Sequence, residues 1–182
     1  MDLTSQSRVD LIVQAIEDAV KDNKDTSRMG TMIFVNTAEA ASTLTSNLRR
    51  QGLSCAEFHK LVPFTEKIQE LHLFRTGEVP ILVCTDHAAR GLDLPMVFHV
   101  IQAEFALNVV NHLHRIGRAS RAGSFGVATN LFGRSSKDLV ESILSDEEGG
   151  RIDQSFSRRR GFRQKIKKEI KRSGERYQGE EE

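Results

Sequence analysis

The sequence has no uninterrupted apolar run approaching eighteen residues, which is the length needed for a membrane-spanning helix. Its first ten residues, MDLTSQSRVD, have neither the cationic start nor the apolar centre of a secretory signal peptide. These two absences predict a soluble protein with no membrane partner. With 182 residues, of which 38% are hydrophobic, the chain can bury one sizeable core and hardly two.

Cysteine is scarce. The two cysteines, Cys55 and Cys84, lie inside apolar strand-like runs and not at metal-ligand spacing. This pattern predicts buried reduced thiols and an intracellular, reducing compartment, with the nucleus, the cytoplasm and organelles as alternatives. His112 and His114 are two residues apart, a spacing that separates side chains on a helix, so we expect no metal site.

The sequence also lacks internal repeats and any glycine- or proline-rich linker within its body. Its charge is uneven, because residues 151–182 hold eleven Lys/Arg against six Asp/Glu, whereas residues 1–150 hold 15 against 19. The apolar pattern ends after Ser145. We therefore predict a domain over residues 1–148 and a basic, flexible tail over residues 149–182.

The tail mixes cations with aromatic residues, a combination that suits a nucleic-acid backbone and its exposed bases. Its candidate RNA-binding residues are Arg158, Arg159 and Arg160, close to Phe156 and Phe162. A merely solubilising tail is the alternative.

Apolar strand-like runs and amphipathic helical stretches alternate along the body. Five such strand–helix units imply an α/β fold, with a parallel sheet that has helices on both faces. The strands are predicted at 31–35, 53–58, 80–84, 96–101 and 126–132, and the helices at 5–22, 38–50, 65–75, 87–90, 107–116 and 135–145.

Polar residues follow most of these strands. In parallel sheets, ligands gather outside the carboxyl ends of the strands, and these ends meet at one edge. We therefore expect a binding edge formed by Asn36, Thr37, His59, Thr85, Asp86 and Gln102.

The stretch HRIGRASRAG, at residues 114–123, concentrates cations ahead of the last strand. If the preceding helix continues into it, one face carries Val109, Leu113 and Ile116, and the opposite face carries His114, Arg118 and Arg121. The cations then point away from the core. A solvated cationic face is one interpretation, and binding of planar oxyanions, which suit the arginine fork, is the other.

A second stretch, VCTDHAARGLD at residues 83–93, joins a buried strand to a short helix. The Thr85 hydroxyl and the free N–H groups at the helix start predict a phosphate site. An ordinary strand-to-helix turn capped by Asp86 is the alternative.

Three segments, IFVNT (33–37), TDHAARGLDLP (85–95) and HRIGRASRAG (114–123), occur in this order. Together they closely resemble motifs four, five and six of the second RecA-like domain of DEAD-box RNA helicases. The resemblance covers residues 8–145. It implies a RecA-like fold and a role as the C-terminal half of an ATP-dependent RNA helicase, with RNA, ATP and a first RecA-like domain as partners.

On the ATP side, the resemblance implies that Arg118 and Arg121 are catalytic arginine fingers at the γ-phosphate. It places Asp93 at the ATP ribose. His114 and Arg115 would bridge to the first domain.

On the RNA side, the resemblance implies phosphate contacts from Thr37, Thr85 and the backbone near Gly91. Arg90 would serve the RNA or the other domain. Lys67 stands where the family has the arginine of a QxxR element, and it could meet a phosphate as a point charge.

The sequence departs from the family at three positions. Ala119 and Ser120 replace Thr and Gly, but both are small, so we expect the finger geometry to survive. Phe64 replaces the glutamine of the QxxR element, and the hydrogen bonds of that glutamine are lost. These departures favour an alternative function, a non-catalytic RNA-binding or scaffold module.

Motifs for holding a nucleotide are missing. No GxxxxGK[ST] occurs, and SDEEGG at 145–150 lacks the preceding strand of an acidic Mg²⁺-binding motif. ATP and Mg²⁺ would thus be held mainly by a first domain absent from this chain, and we expect the isolated chain to be an inactive monomer. A Rossmann-type binder is disfavoured, since no GxGxxG follows the first strand.

The basic tail would suit a ribosome-assembly helicase.

Overall fold

The structure is a computed structural model that describes residues 5–22, 30–89, 97–119, 126–133, 137 and 140–141. The chain divides into two compact units, Met1–Lys137 and Asp138–Glu182. All the helices and strands defined below belong to the first unit. The predicted helix over 135–145 and the predicted tail fall largely or wholly outside the described residues.

Helices and strands alternate along the first unit, as predicted. The described helices are α1 (Ser5–Asp22), α2 (Ala38–Arg50), α3 (Phe64–Thr76), α4 (Asp86–Ala89) and α5 (Val109–Ile116). The described strands are β1 (Thr31–Val35), β2 (Cys55–Phe58), β3 (Ile81–Thr85), β4 (His99–Gln102) and β5 (Val127–Asn130).

The five strands form one parallel sheet in the order β2-β3-β1-β4-β5. Phe34 of β1 lies opposite Cys84 of β3 and Gln102 of β4, and Gln102 lies opposite Asn130 of β5. Since this register places the carboxyl ends side by side, the predicted parallel sheet with one polar edge is confirmed.

Helices cover both faces of the sheet, as predicted. Alternate residues of β1 point to opposite faces, so Ile33 packs in one apolar cluster and Phe34 in the other. The Ile33 cluster includes Val9 and Ile12 of α1 and Ala41, Leu44 and Leu48 of α2. The Phe34 cluster includes Leu71 and Phe74 of α3 and Ala119, which follows α5.

Local capping residues fix both ends of α2 and the start of α5. The Thr37 side chain accepts a hydrogen bond from the Ala40 N–H at the start of α2 (3.1 Å), and Gly52 follows this helix at φ +82°. Asn108 caps α5 by accepting from the Asn111 N–H (2.8 Å). Thr37 and Gly52 explain why α2 begins and ends where the sequence predicts.

The predicted orientation of α5 is wrong in part. The helix turns His112 and Arg115 inward, while Val109 is 37% exposed and Leu113 and Ile116 are only partly buried. An apolar stripe therefore does not define the buried face of this helix. The inward face is polar because the sheet edge below supplies hydrogen-bond partners for it.

Both cysteines are buried free thiols, as predicted. Burial raises the pKa of the Cys55 and Cys84 thiols, so both are poor nucleophiles. In the described part of the chain, every helix is too short or too polar to cross a bilayer.

Candidate functional site at the carboxyl edge of the sheet

Arg115 is the centre of a polar network at the carboxyl edge of the sheet. Its side chain is fully buried, and its Nε and Nη2 atoms donate to the two carboxylate oxygens of Asp86 at 2.8 and 2.7 Å. Nη1 donates to the Glu104 carbonyl (2.6 Å) and to Gln102 Oε1 (3.2 Å), and Nη2 also donates to Asn36 Oδ1 (2.7 Å). All five N–H groups of the guanidinium therefore have acceptors.

The acceptors of Arg115 come from three neighbouring strands. Asn36 directly follows β1, Asp86 follows β3, and Gln102 ends β4. The guanidinium carbon also lies 5.3 Å from the centre of the Phe34 ring. A single side chain of α5 thus connects three strand ends, and we call this set of contacts the Arg115 clamp.

Gln102 links the clamp to His112. The Gln102 amide nitrogen lies 2.7 Å from His112 Nδ1 and 2.7 Å from Asn130 Oδ1. Because an amide can only donate from this nitrogen, His112 accepts at Nδ1 and is the neutral Nε2–H tautomer. Burial, assisted by the charge of Arg115, lowers the pKa of His112 to about 4, which agrees with a neutral ring.

Glu104 supports the clamp from the side of β1. Its Oε2 accepts from the Asn36 backbone N–H at 2.7 Å, and its Oε1 lies 3.4 Å from Nη1 of Arg8 in α1. The Asn36 amide also donates to the Phe105 carbonyl (3.0 Å). The turn after β1, which leads to Thr37, is therefore held on both sides.

The predicted site residues within the described part occupy different depths of this edge. Thr85 ends β3 and is buried, whereas Thr37 is exposed at the start of α2. Lys67 is partly exposed on α3, and His114 is exposed on α5. The edge thus brings both predicted RNA-side threonines to the ends of neighbouring strands.

Arg118 lies two residues after the end of α5, and hydrogen bonds fix its backbone. Its N–H donates to the Arg115 carbonyl (3.0 Å), and its carbonyl accepts from the Val97 N–H (3.2 Å). The next residue, Ala119, is buried and packs in the Phe34 cluster. A small side chain at position 119 therefore suits its surroundings.

Arg115 lies in the interior of its own domain, where its donors are already satisfied. The interdomain role that the family resemblance implies for Arg115 and His114 stays a prediction. Several other predicted site residues lie outside the described residues, namely Arg90, Gly91, Asp93, Arg121, Arg158, Arg159 and Arg160.

The described residues contain no group of three His, Cys, Asp or Glu side chains that could hold a metal ion. The carboxylates nearest the edge are engaged, because Asp86 pairs with Arg115 and Glu104 accepts from Asn36. Neither carboxylate is therefore left without a partner among the described residues.

The sequence patterns do not predict the Arg115 clamp. Asn36, Asp86 and Gln102 are each predicted to lie at the binding edge, but nothing predicts that one buried arginine joins them. Polar residues at the ends of apolar strands, together with an arginine on the following helix, are the signal that could have indicated it.

The fold and the edge define the class of this protein, an α/β domain of the RecA-like type. The family model described as the helicase conserved C-terminal domain matches residues 8–123. The chain belongs to this family, and it is the second RecA-like domain of a DEAD-box helicase.

Two curated relatives and one solved structure are similar to this chain. DEAD-box ATP-dependent RNA helicase 22 of Arabidopsis thaliana is 46% identical over 162 residues, which cover 88% of this chain and 28% of that protein. The protein of the same name in Oryza sativa subsp. japonica is 39% identical over 173 residues, covering 93% and 30%. The crystal structure of the E. coli DEAD-box protein SrmB, bound to regulator of ribonuclease activity A, superimposes with a TM-score of 0.66. It is 27% identical and matches 77% of this chain and 78% of that one.

Proposed function

We propose that this chain is the C-terminal half of an RNA-stimulated ATPase that separates or remodels RNA strands. It spans less than a third of the length of the two curated relatives described above, so the complete activity requires the part of the protein that contains the first RecA-like domain. In this proposal, closure of the two domains brings the carboxyl edge of the sheet against ATP and RNA.

The observation that carries the proposal is the Arg115 clamp. It ties the last turn of α5 to three strand ends. Arg118 lies three residues after Arg115, and both its backbone N–H and its carbonyl are hydrogen-bonded. A guanidinium that stabilises charge on a transferred phosphoryl group must be held in place before the reaction. The clamp supports Arg118 as such a group, with Arg121 as its partner.

ATP would supply the phosphoryl group, and Mg²⁺ bound with it would supply positive charge there, both held mainly by the first domain. Arg118 would approach the terminal phosphate, and Asp93 would meet the ribose.

The RNA would lie along the edge beside Thr37 and Thr85. Thr37 is exposed at the start of a 13-residue helix, whose first N–H groups favour a phosphate. The held turn after β1 keeps this threonine in a defined position. Such contacts bind the RNA backbone and carry no base preference.

The test is to join a DEAD-box first domain to this chain and measure RNA-stimulated ATP hydrolysis. Arg118→Ala should lower turnover by about 10³-fold or more, and Arg118→Lys should also fail because an ammonium cannot reproduce the arginine fork. Arg50→Ala is the matched control, since Arg50 is exposed at the end of α2 and hydrogen-bonds only to Asn47 among the described residues. Near-normal turnover of Arg118→Ala would refute the finger role.

The same measurement of RNA-stimulated ATP hydrolysis distinguishes the proposed ATPase from the alternative function. A non-catalytic RNA-binding module would bind RNA but show no stimulated hydrolysis even with a first domain attached. Phe64 is the observation that favours this alternative, because the amide expected there is replaced by an exposed ring. Without a first domain, we expect the chain to hydrolyse no ATP in either case.

A further inference from the structure

Phe64 is 75% exposed, more than any other large hydrophobic residue in the described part of the chain. It is the first residue of α3, directly after the turn that follows β2. Ile68, one helical turn later on the same side of α3, is 54% exposed, and Leu61 in the preceding turn is 55% exposed. An aromatic ring therefore projects into solvent from an apolar surface formed by Leu61, Phe64 and Ile68.

Two lysines flank the ring. Lys60 is exposed four residues before Phe64, and Lys67 lies three residues after it on the neighbouring side of the helix. Among the described residues Lys67 has no ion pair. The nearest acidic residue on α3, Glu66, is two positions from Phe64 and so lies on nearly the opposite side. Along the chain, an exposed lysine in the turn before α3 and a partly exposed lysine one helical turn into α3 thus stand on either side of the exposed ring.

This surface is continuous with the carboxyl edge of the sheet. His59 Nε2 lies 3.2 Å from the Ser42 hydroxyl, so the turn carrying Lys60 packs beside the first half of α2. The Glu39 carboxyl, next to Thr37, has its pKa lowered by a hydrogen bond from its own backbone N–H and further by the charge of Lys60. Lys60, in the turn that leads to Phe64, therefore lies close to the start of α2, where Thr37 is exposed.

We propose that Phe64 stacks on a base of single-stranded RNA, while Lys60 and Lys67 hold the flanking phosphates. An exposed ring between cations has the chemistry of single-strand binding surfaces, in which each base offers a flat face and each phosphate a charge. The proposal rests on the proposed RNA-binding function and adds a base contact to an edge that otherwise meets only the backbone.

A fluorescence experiment tests the stacking directly. The chain contains no tryptophan, so Phe64→Trp places a single indole probe at the surface in question. Titration with oligo(U) should quench this fluorescence, because a stacked base quenches indole emission. Leu11→Trp is the matched control, since Leu11 is 42% exposed on α1, the helix on the other face of the sheet, and its fluorescence should not change.

An oligonucleotide of the same length without bases separates stacking from charge. It carries the same phosphates, so it should bind through the lysines but leave the fluorescence of Phe64→Trp unquenched. Equal quenching by the abasic and the normal oligonucleotide would overturn the proposal.

Affinities give a second, independent measurement by fluorescence anisotropy. Phe64→Ala and Phe64→Leu should both weaken binding of oligo(U) about five-fold or more, because leucine retains apolar surface but offers no ring, while Phe64→Tyr should bind as the original does. None of these three substitutions of Phe64 should alter the dependence of affinity on salt concentration. Lys67→Gln should instead make the slope of log affinity against log salt shallower by about one.

The outcomes separate this proposal from the function on which it rests. If the chain binds RNA with the affinity unchanged in Phe64→Ala and no quenching in Phe64→Trp, the base contact is refuted and the RNA edge stands. In that case the apolar surface would be a protein contact. If neither the chain nor its fusion to a first domain binds RNA, both proposals fail.

Discussion

Arg115 shows how a single charged side chain can act as a core residue. A buried guanidinium is strongly unfavourable unless every N–H group has an acceptor, and here the carboxylate of Asp86 also neutralises the charge. The same contacts hold the strand ends that carry Thr37 and Thr85. The stability of the domain and the geometry of its edge therefore depend on the same group.

Removal of Asp86 should show this dependence. Asp86→Ala leaves Arg115 buried and uncompensated, so the free energy of unfolding should fall by about 3 kcal/mol in urea denaturation. Asp18→Ala, which removes an exposed carboxylate of α1, should change it by less than about 0.5 kcal/mol. The double change Asp86→Ala with Arg115→Met should be less damaging than the sum of the two single changes. Additive effects would contradict a direct pair.

Buried histidines should make the domain sensitive to acid. Burial lowers the pKa of both His112 and His99 to about 4, whereas the unfolded chain protonates these residues near pH 6.5. The unfolded state therefore binds more protons between about pH 6.5 and 4, and stability should fall as the pH falls through this window. Urea midpoints at pH 7.5 and 5 would measure the loss.

His112→Gln is the matched variant for this measurement. Glutamine can still accept a hydrogen bond from Gln102, but it does not titrate. The loss of stability between pH 7.5 and 5 should therefore be smaller in His112→Gln than in the unaltered chain. An identical loss would show that His112 is not responsible.

At the scale of elements, α5 and β5 are joined by a close backbone contact. A Cβ atom at Gly126 would collide with the carbonyl oxygen and carbon of Ala119, the residue that follows Arg118 and packs in the core. Backbone atoms yield less readily than the end of a flexible side chain. Glycine is therefore required where the chain enters β5.

Gly126→Ala should destabilise the domain by about 1–3 kcal/mol, as overpacking does, and displace the segment that carries Arg118. Thermal unfolding measures the first effect, and loss of RNA-stimulated hydrolysis in the fusion to a first domain measures the second. Ala128→Ser adds one atom at an exposed position of β5 and should change neither quantity. A Gly126→Ala protein as stable as the original would exclude the contact.

At the scale of the whole chain, charge is divided between an acidic body and a basic tail. Residues 1–150 have four more acidic than basic residues, and residues 151–182 have five more basic than acidic ones. Since phosphate contacts dominate nucleic-acid affinity, the tail is a candidate for the larger share of non-specific RNA binding.

Deletion of residues 151–182 should lower the affinity for unrelated single-stranded RNAs about equally and make the salt dependence shallower. Charge reversal at Arg158, Arg159 and Arg160 should reproduce most of this loss. Deletion of only Glu180, Glu181 and Glu182 is the control and should not weaken binding. Fluorescence anisotropy at several salt concentrations would decide, and identical slopes for the full and truncated chains would reduce the tail to a solubilising appendage.

The sequence by itself determined the elements and the edge. The limits of β1 and α2 follow from local signals, an apolar run and the capping residues Thr37 and Gly52, and both elements lie where those signals place them. The alternation of strands and helices determined the parallel sheet, because parallel strands need crossover helices. Polar residues at strand ends then predicted which edge carries the candidate site.

Only the tertiary structure decided the orientation of α5 and the role of Arg115. Helical periodicity placed the apolar residues of α5 inward, yet the acceptors of Arg115 lie 29 residues away at Asp86 and 79 residues away at Asn36. No local pattern contains information about partners at such distances. The direction in which a charged residue points depends on whether the folded chain supplies acceptors for all its donors, and that is known only once the strand ends are side by side.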